Sequence, residues 1–379
     1  MQSFKLSKVT ILPSILYLFV NSIFIFKYTQ RIGLNEYLLL SLYTLALVLV
    51  YIVFLYLRDK KSIQFFKIAY WIIIILICSG IIFFLITVDR NTIRVDRWSA
   101  LTYFWDYFFQ GKYPYSTHTH FGLTNHPSPF PFWQFLNLPF YLLGDVGLGL
   151  IFFLVLTSIV VQKYFSSYKR SFYFFCLLLF SPAYWWEVMV RSDSLNNALL
   201  VFMLILWFEK SKRTLSNNFV LIAIICGLVA TTRLTAILPL AIYFFRPYLN
   251  LKLKQKILFP ALVLTVSFLI FSPFIFWDTN TWIFFSRNPF MNQADKGYFS
   301  ILIFTMVIGV FMALRWKTIE QFFYYASLFI FIFIFCSQFG LFIRSDFNPE
   351  FISGSICDIS YFNLFLPYCL ASISGKIIS

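Results

Sequence analysis

Long apolar stretches recur along this chain with only short polar intervals between them, and their length is the first structural signal. They fall near residues 11 to 27, 34 to 57, 66 to 88, 146 to 162, 171 to 186, 194 to 208, 218 to 232, 234 to 245, 257 to 277, 299 to 314, 321 to 343 and 360 to 374. A helix of roughly 17 to 25 residues crosses a hydrocarbon layer about 30 Å thick. Lipid offers nothing to an unpaired backbone amide, so the crossings are expected to be closed helices. The pattern predicts an all-α, polytopic transmembrane protein of about 11 to 13 spans. Two runs are ambiguous: 130 to 143 reads as a full span, a re-entrant piece or an interfacial helix, and 234 to 245 is short for a crossing. With no internal repeat and no long linker, residues 1–379 read as one integral membrane domain. In it, 1–65 supply two N-terminal spans, 66–245 a core with a long external loop at 89–133, and 246–379 the C-terminal helices.

Composition excludes a soluble alternative. The chain is 60% hydrophobic and only 12% charged, with a mean hydropathy of +0.79, which leaves too little charge to cover a water-facing surface. Its 52 Phe, 23 Tyr and 10 Trp suit lipid-facing surfaces and interface belts rather than any one chemistry. The net charge of +15 does not point to nucleic acid, because the basic residues sit in short loops at alternate helix ends instead of forming one basic surface. With Lys5 and Lys8 inside, ahead of an uncleaved first span, Arg58/Lys60/Lys61/Lys67, Lys163/Lys169/Arg170, Lys210/Lys212/Arg213, Arg246/Lys252/Lys254/Lys256 and Arg315/Lys317 all fall on the cytoplasmic side. The six cysteines lack CxxC spacing and mostly lie inside apolar runs, where they act as small hydrophobes.

Carboxylates follow the opposite asymmetry. Asp89, Asp96, Asp106, Asp145, Glu187, Asp193, Asp278, Asp295, Asp346, Glu350 and Asp358 fall on the external face, and an external active site is one reason for it; drift is the other. The longest polar interval, Asp89 to Trp133, is of the length that usually carries function. Within it Trp98, Leu101, Trp105, Phe108 and Phe109 recur at helical spacing up to Gly111, predicting an amphipathic helix on the membrane surface with Asp96 at its N-cap. Capping alone accounts for such an aspartate. The functional reading is a base placed at the positive end of a helix, able to take a proton from an incoming hydroxyl. Asp89 and Asp106 compete for that role as second carboxylates, in the order Asp96, Asp89, Asp106. All three histidines, His118, His120 and His126, also lie in this loop. A His-x-His with a third histidine nearby suits zinc, yet no Cys or carboxylate stands at fixed spacing, so no metal ligand is assigned and a divalent cation stays open.

The order of these features resembles that in the GT-C superfamily of polyprenyl-phosphate-sugar-dependent glycosyltransferases, with its mannosyltransferase-like members. A span is followed by an aspartate, an amphipathic helix, a Gly-x-x-Pro-Tyr (Gly111, Pro114, Tyr115) and a His-Pro-x-Pro (His126 to Pro129) that opens the next apolar piece. Ser128 interrupts the proline pair usual there. Trp186 to Leu195 is similar to the family's short external turn, and Ala230 to Thr235 with Leu238-Pro239-Leu240 to its later element with a basic residue at the membrane edge. The likeness covers roughly residues 66 to 245.

The resemblance implies Asp96 as catalytic base. It implies Arg191, Arg233 and Arg344 as donor phosphate ligands, and His118, His120, His126, Asp193 and Tyr115 as the loop that meets donor or acceptor. It also implies an inverting transfer of mannose or a similar hexose or pentose from a polyprenyl phosphate to a glycan, lipid or protein hydroxyl, without a cofactor, on the periplasmic side of a bacterial inner or plasma membrane. Physical cost agrees in part, since an arginine at bilayer depth costs about 2.5 to 3.5 kcal/mol and needs an anionic partner. That partner is a lipid phosphate, or for Arg191 and Arg233 simply Asp193 or Glu187. Arg287 is a further candidate for phosphate, with Arg344, because guanidinium suits phosphate oxygens. A transporter or flippase, and a polymerase of lipid-linked glycans, are the rival functions.

Overall fold

The computed structural model describes residues 8–31, 33–121, 125–294, 299–354 and 356–376. Lys5 and Asp295 lie outside the described residues, as do the side chains of Lys8, Arg58 and Asp59. All regular structure among the described residues is helical. In chain order the α-helices are α1 (Lys8–Arg31), α2 (Glu36–Lys60), α3 (Ile63–Thr87), α4 (Arg97–Phe109), α5 (Pro131–Leu142), α6 (Leu148–Phe165), α7 (Tyr168–Leu179), α8 (Pro182–Met189) and α9 (Ser194–Lys210). They continue as α10 (Phe219–Ala230), α11 (Ile237–Leu249), α12 (Leu253–Ile275), α13 (Ile283–Ser286), α14 (Pro289–Ala294), α15 (Phe299–Arg315), α16 (Ile319–Arg344) and α17 (Leu366–Lys376).

Every apolar run is helical, but length separates them. Six helices, α1, α2, α3, α6, α12 and α16, are long and apolar enough to cross a membrane, or seven counting α7 and α8 as one span bent by 64°. These make the chain a multi-pass helical membrane protein in coarse outline. The dozen crossings expected from the apolar runs are not matched by helix length. The helix Phe219–Ala230 has 12 residues, about 18 Å at 1.5 Å per residue, and α5 has the same number. The α7–α8 bend has a local cause: Pro182 has no amide hydrogen and ends the preceding helix. Asn21 repairs the break, its Oδ1 accepting from Ser181 Oγ at 2.7 Å and from the Ala183 amide at 3.1 Å.

The chain divides into two compact units built from interleaved segments. The first, 1–82, 155–187 and 297–379, contains most of the long helices. In it α1 packs on α2, α16 and α17, and α17 also packs on α7. Several of its buried polar groups are paired, as apolar surroundings favour: Lys27 Nζ donates to Cys357 O at 2.6 Å, and Asn363 Nδ2 to Ala183 O and Glu187 Oε1. α2 leaves nearly its whole length exposed, burying Phe54.

The second unit, 83–154 and 188–296, carries the long loop. Its core is aromatic: Phe104 and Trp105 of α4, Tyr113, Tyr115 and Phe130 of the loop, and Phe271, Phe274 and Phe284. The amphipathic helix expected at the membrane surface is present as α4, but its apolar side faces this core. Trp98, Leu101, Phe104 and Trp105 are buried, Phe104 packing on Tyr115 and Phe274. The loop returns over the helix and supplies aromatic partners to its buried side, while Phe109 stays exposed. α4 stops where the sequence places its end: Gly111, at φ +70°, lets the Gly111 and Lys112 amides turn back to Phe108 O and Tyr107 O.

Candidate active site

The second unit gathers every candidate residue except Arg344, which ends α16 in the first. Asp96 occupies the N-cap position of α4, as expected, but its side chain makes no capping hydrogen bond. Its backbone oxygen accepts from the Ala100 amide and lies 3.2 Å from Ser99 Oγ. Among the described residues the half-buried Asp96 carboxylate has no hydrogen-bond or ion-pair partner. The bland explanation for this aspartate therefore lacks its bond.

The competing carboxylates are engaged. Asp89 is exposed and caps its own turn, accepting from the Asn91 amide at 3.0 Å. Asp106 accepts from the Tyr141 hydroxyl at 2.7 Å. Asp278 closes a turn with Thr281 and Asn280, and these hydrogen bonds lower its pKa, that from the Thr281 hydroxyl most.

The two internal arginines both have carboxylate partners. Arg191 takes left-handed backbone, φ +51°, in the turn between α8 and α9, a conformation that costs a non-glycine residue about 1–3 kcal/mol. Its side chain offsets this by joining three segments: Nε donates to Asp145 Oδ2 at 3.1 Å, and Nη2 to Leu85 O at 2.9 Å and Val88 O at 3.2 Å at the end of α3. Its buried Nη1 has no partner among the described residues. Arg233 is 3% exposed and grips the 2%-exposed Asp193 with Nε and Nη2. Sequence reasoning held lipid phosphate and protein carboxylate level as partners. Here Asp193 takes Arg233 and Asp145 takes Arg191. Asp145 stands 46 positions away, so no local spacing signals it.

The histidines have separate surroundings. His120 contacts the Asp96 segment, with Nε2 2.7 Å from Ile93 O, Nδ1 2.7 Å from Ser99 Oγ and its ring 4.8 Å from that of Trp98. His126 lies beside His118, ring centroids 4.6 Å apart. Its Nδ1 is 2.8 Å from Thr117 O, and its Nε2 meets Arg287 Nη1. Arginine only donates and a carbonyl only accepts, so this ring is neutral with its proton on Nδ1. Burial lowers its pKa, and the Arg287 and His118 charges lower it further. No group of three or more His, Cys, Asp or Glu among the described residues is arranged to hold a metal ion.

The remaining motif residues form the wall of the loop. Tyr115 is buried, donates its hydroxyl to Pro129 O at 3.1 Å, and has its phenol pKa pushed up by burial. Tyr113 donates to Arg287 O at 2.9 Å. The Phe130 and Phe132 amides donate to Thr232 O and Thr231 O, which docks the Pro-rich return onto the residues just before Arg233. The loop, the Val188 to Leu195 part of the external turn and the segment around Arg233 thus lie within the second unit. No protein family, no curated protein and no solved structure matches this chain.

Proposed function

We propose that this chain is a membrane glycosyltransferase of the GT-C kind, moving a hexose or pentose such as mannose from a polyprenyl phosphate to an acceptor hydroxyl at the external face. The observation that carries this reading is the half-buried Asp96 carboxylate at the start of α4, which bonds to no protein group among the described residues. In the reaction the acceptor oxygen attacks the anomeric carbon while Asp96 takes the hydroxyl proton. The bond from that carbon to the phosphate oxygen breaks with its electron pair going to the lipid phosphate, and attack opposite the leaving group inverts the centre. A phosphate leaving group stabilised by cations needs no second carboxylate to protonate it, unlike the leaving groups of glycosidases.

Arg233 is already neutralised by Asp193, and Arg191 is tied to Asp145 and two carbonyls. In this reading they fix the site. The phosphate charge falls to cations with open donors. Arg94 is exposed and without a hydrogen-bond or ion-pair partner among the described residues, and Arg287 is exposed and donates only Nη1, to His126. The test is the purified Asp96→Asn variant with polyprenyl-phosphate mannose bearing a radiolabelled sugar and the membrane's own acceptors. Transfer at near wild-type rate would sink the assignment, as would movement of the donor across vesicles with no new glycosidic bond formed.

A further inference from the structure

Asp96 sits at the end of a short irregular stretch, 93–96, between a 3₁₀ turn (Arg90–Thr92) and α4. Among the described residues no side chain is bonded to its carboxylate, so the backbone sets the position from which it is presented. That backbone is held on both sides by one residue distant in the loop. His120 Nε2 lies 2.7 Å from Ile93 O, three residues before Asp96, and its Nδ1 lies 2.7 Å from Ser99 Oγ, three residues after. The His120 amide adds a third contact to the same Ser99 oxygen at 3.3 Å.

The chemistry of these contacts fixes the ring. A carbonyl can only accept, so Nε2 carries a proton, and in the neutral ring Nδ1 accepts from the Ser99 hydroxyl. Ser99 Oγ also lies 3.2 Å from Asp96's own carbonyl oxygen, so its single proton serves either the ring or the backbone of the residue being aimed. Packing holds the ring in the required plane: it is tilted by 37° against Trp98, which is 2% exposed, and the Arg90 guanidinium covers the Trp98 ring at 5.0 Å. Both ring nitrogens are occupied, so a metal at the His-x-His pair would have to break a bond that holds the Asp96 segment.

We propose that His120 is a positioning residue for Asp96, clamping Ile93 and Ser99 so that the carboxylate is presented by a rigid backbone. The proposal rests on the reading of Asp96 as the base, and its test separates the two. In full-length protein, His120→Ala removes both bonds, whereas His120→Gln keeps a donor near the Nε2 position and with it the bond to Ile93 O. The first readout is hydrogen exchange of the peptide 93–101, which needs no substrate. His120→Ala is expected to speed it about tenfold through local opening, with exchange elsewhere unchanged. The second readout is transfer of radiolabelled mannose from polyprenyl-phosphate mannose. A base misplaced by about 1 Å lowers kcat about a hundredfold, while KM for the donor stays within about twofold because binding groups are untouched. His120→Gln is expected to recover part of both.

Unchanged exchange in His120→Ala overturns the clamp. Faster exchange with unchanged kcat overturns its positioning role, as does a rise in KM matching the fall in kcat/KM. Faster local exchange in a protein whose wild type transfers no sugar leaves the clamp standing and removes the glycosyltransferase reading.

Discussion

Arg233 and Asp193 form a buried bidentate pair in which Nε donates to one carboxylate oxygen at 3.0 Å and Nη2 reaches both. The two residues come from different turns, Arg233 from the end of α10 and Asp193 from the start of α9. Their mutual neutralisation is what allows either charge to be buried at all.

Breaking this pair from one side leaves an uncompensated charge. Arg233→Met and Asp193→Leu are each expected to destabilise the protein by about 3–5 kcal/mol, while the double variant recovers most of the loss because two apolar groups replace two mutually dependent charges. Thermal unfolding in detergent checks this. Singles as stable as the wild type would mean the two side chains do not depend on each other.

Asp96 gives the opposite signature. Its carboxylate bonds to no protein group among the described residues, so Asp96→Asn should change stability by no more than the helix-dipole contribution, about 0.3–1 kcal/mol. Transfer should fall about a hundred- to ten-thousand-fold with the loss of a general base. Parallel measurement of unfolding and of sugar transfer separates the two effects. A large stability loss would make Asp96 a structural residue after all.

The contrast between these two aspartates marks what the sequence could disclose. Run length and hydropathy suffice for a helical membrane protein, because lipid admits no other closed structure for so many apolar segments. They give more runs than there are helices long enough to cross, because α10 and α11 are apolar and yet short, and apolarity alone does not distinguish lipid from an aromatic protein core. The place of Asp96 at the start of α4 was legible from the residues that follow it. Whether its side chain bonds to the helix was not, nor was the pairing of Arg191 with Asp145, since both depend on contacts between distant segments. The clamp by His120 was equally hidden: the sequence shows three histidines in a loop, and only the fold separates the one beside Asp96 from the pair at Arg287.

Acid should act first on that pair. The unfolded His126 ring titrates near its ordinary value of 6.5, and the folded ring lower, by burial and then by Arg287 and His118. A base whose folded pKa is depressed stabilises the fold in its neutral form, fully above the unfolded value, and that stability is lost as pH falls through the folded pKa. Protonated Nε2 can no longer accept from Arg287. Stability measured from about pH 7.5 down to 5 is expected to fall in the wild type and to fall less in His126→Gln, whose amide oxygen accepts from Arg287 at any pH. Equal slopes in the two proteins would exclude the pair as the acid-sensitive contact.

A last expectation concerns how the site-bearing unit is packed. α10 lies directly against α12, and Gly227 is the point of closest approach for which the chain provides no side chain. A Cβ added there would stand 2.7 Å from Val266 Cβ and 2.9 Å from the Val263 carbonyl oxygen. Neither a Cβ fixed to its backbone nor a backbone carbonyl inside a helix can turn away, so the two helices must separate. Alanine also gains up to about 1 kcal/mol of helix propensity over glycine, which opposes the clash. Overpacking of a close backbone contact costs about 1–3 kcal/mol, and separation also stretches the Ser267 Oγ bond to Gly227 O, already 3.3 Å. Gly227→Ala is therefore expected to be destabilising overall. Adding Val266→Ala removes only the methyl contact and should recover little of the loss, because Val266 Cβ and the Val263 carbonyl both remain. If Gly227→Ala unfolds at or above the wild-type temperature, helix propensity outweighs the contact and the two helices are not held at this distance by packing.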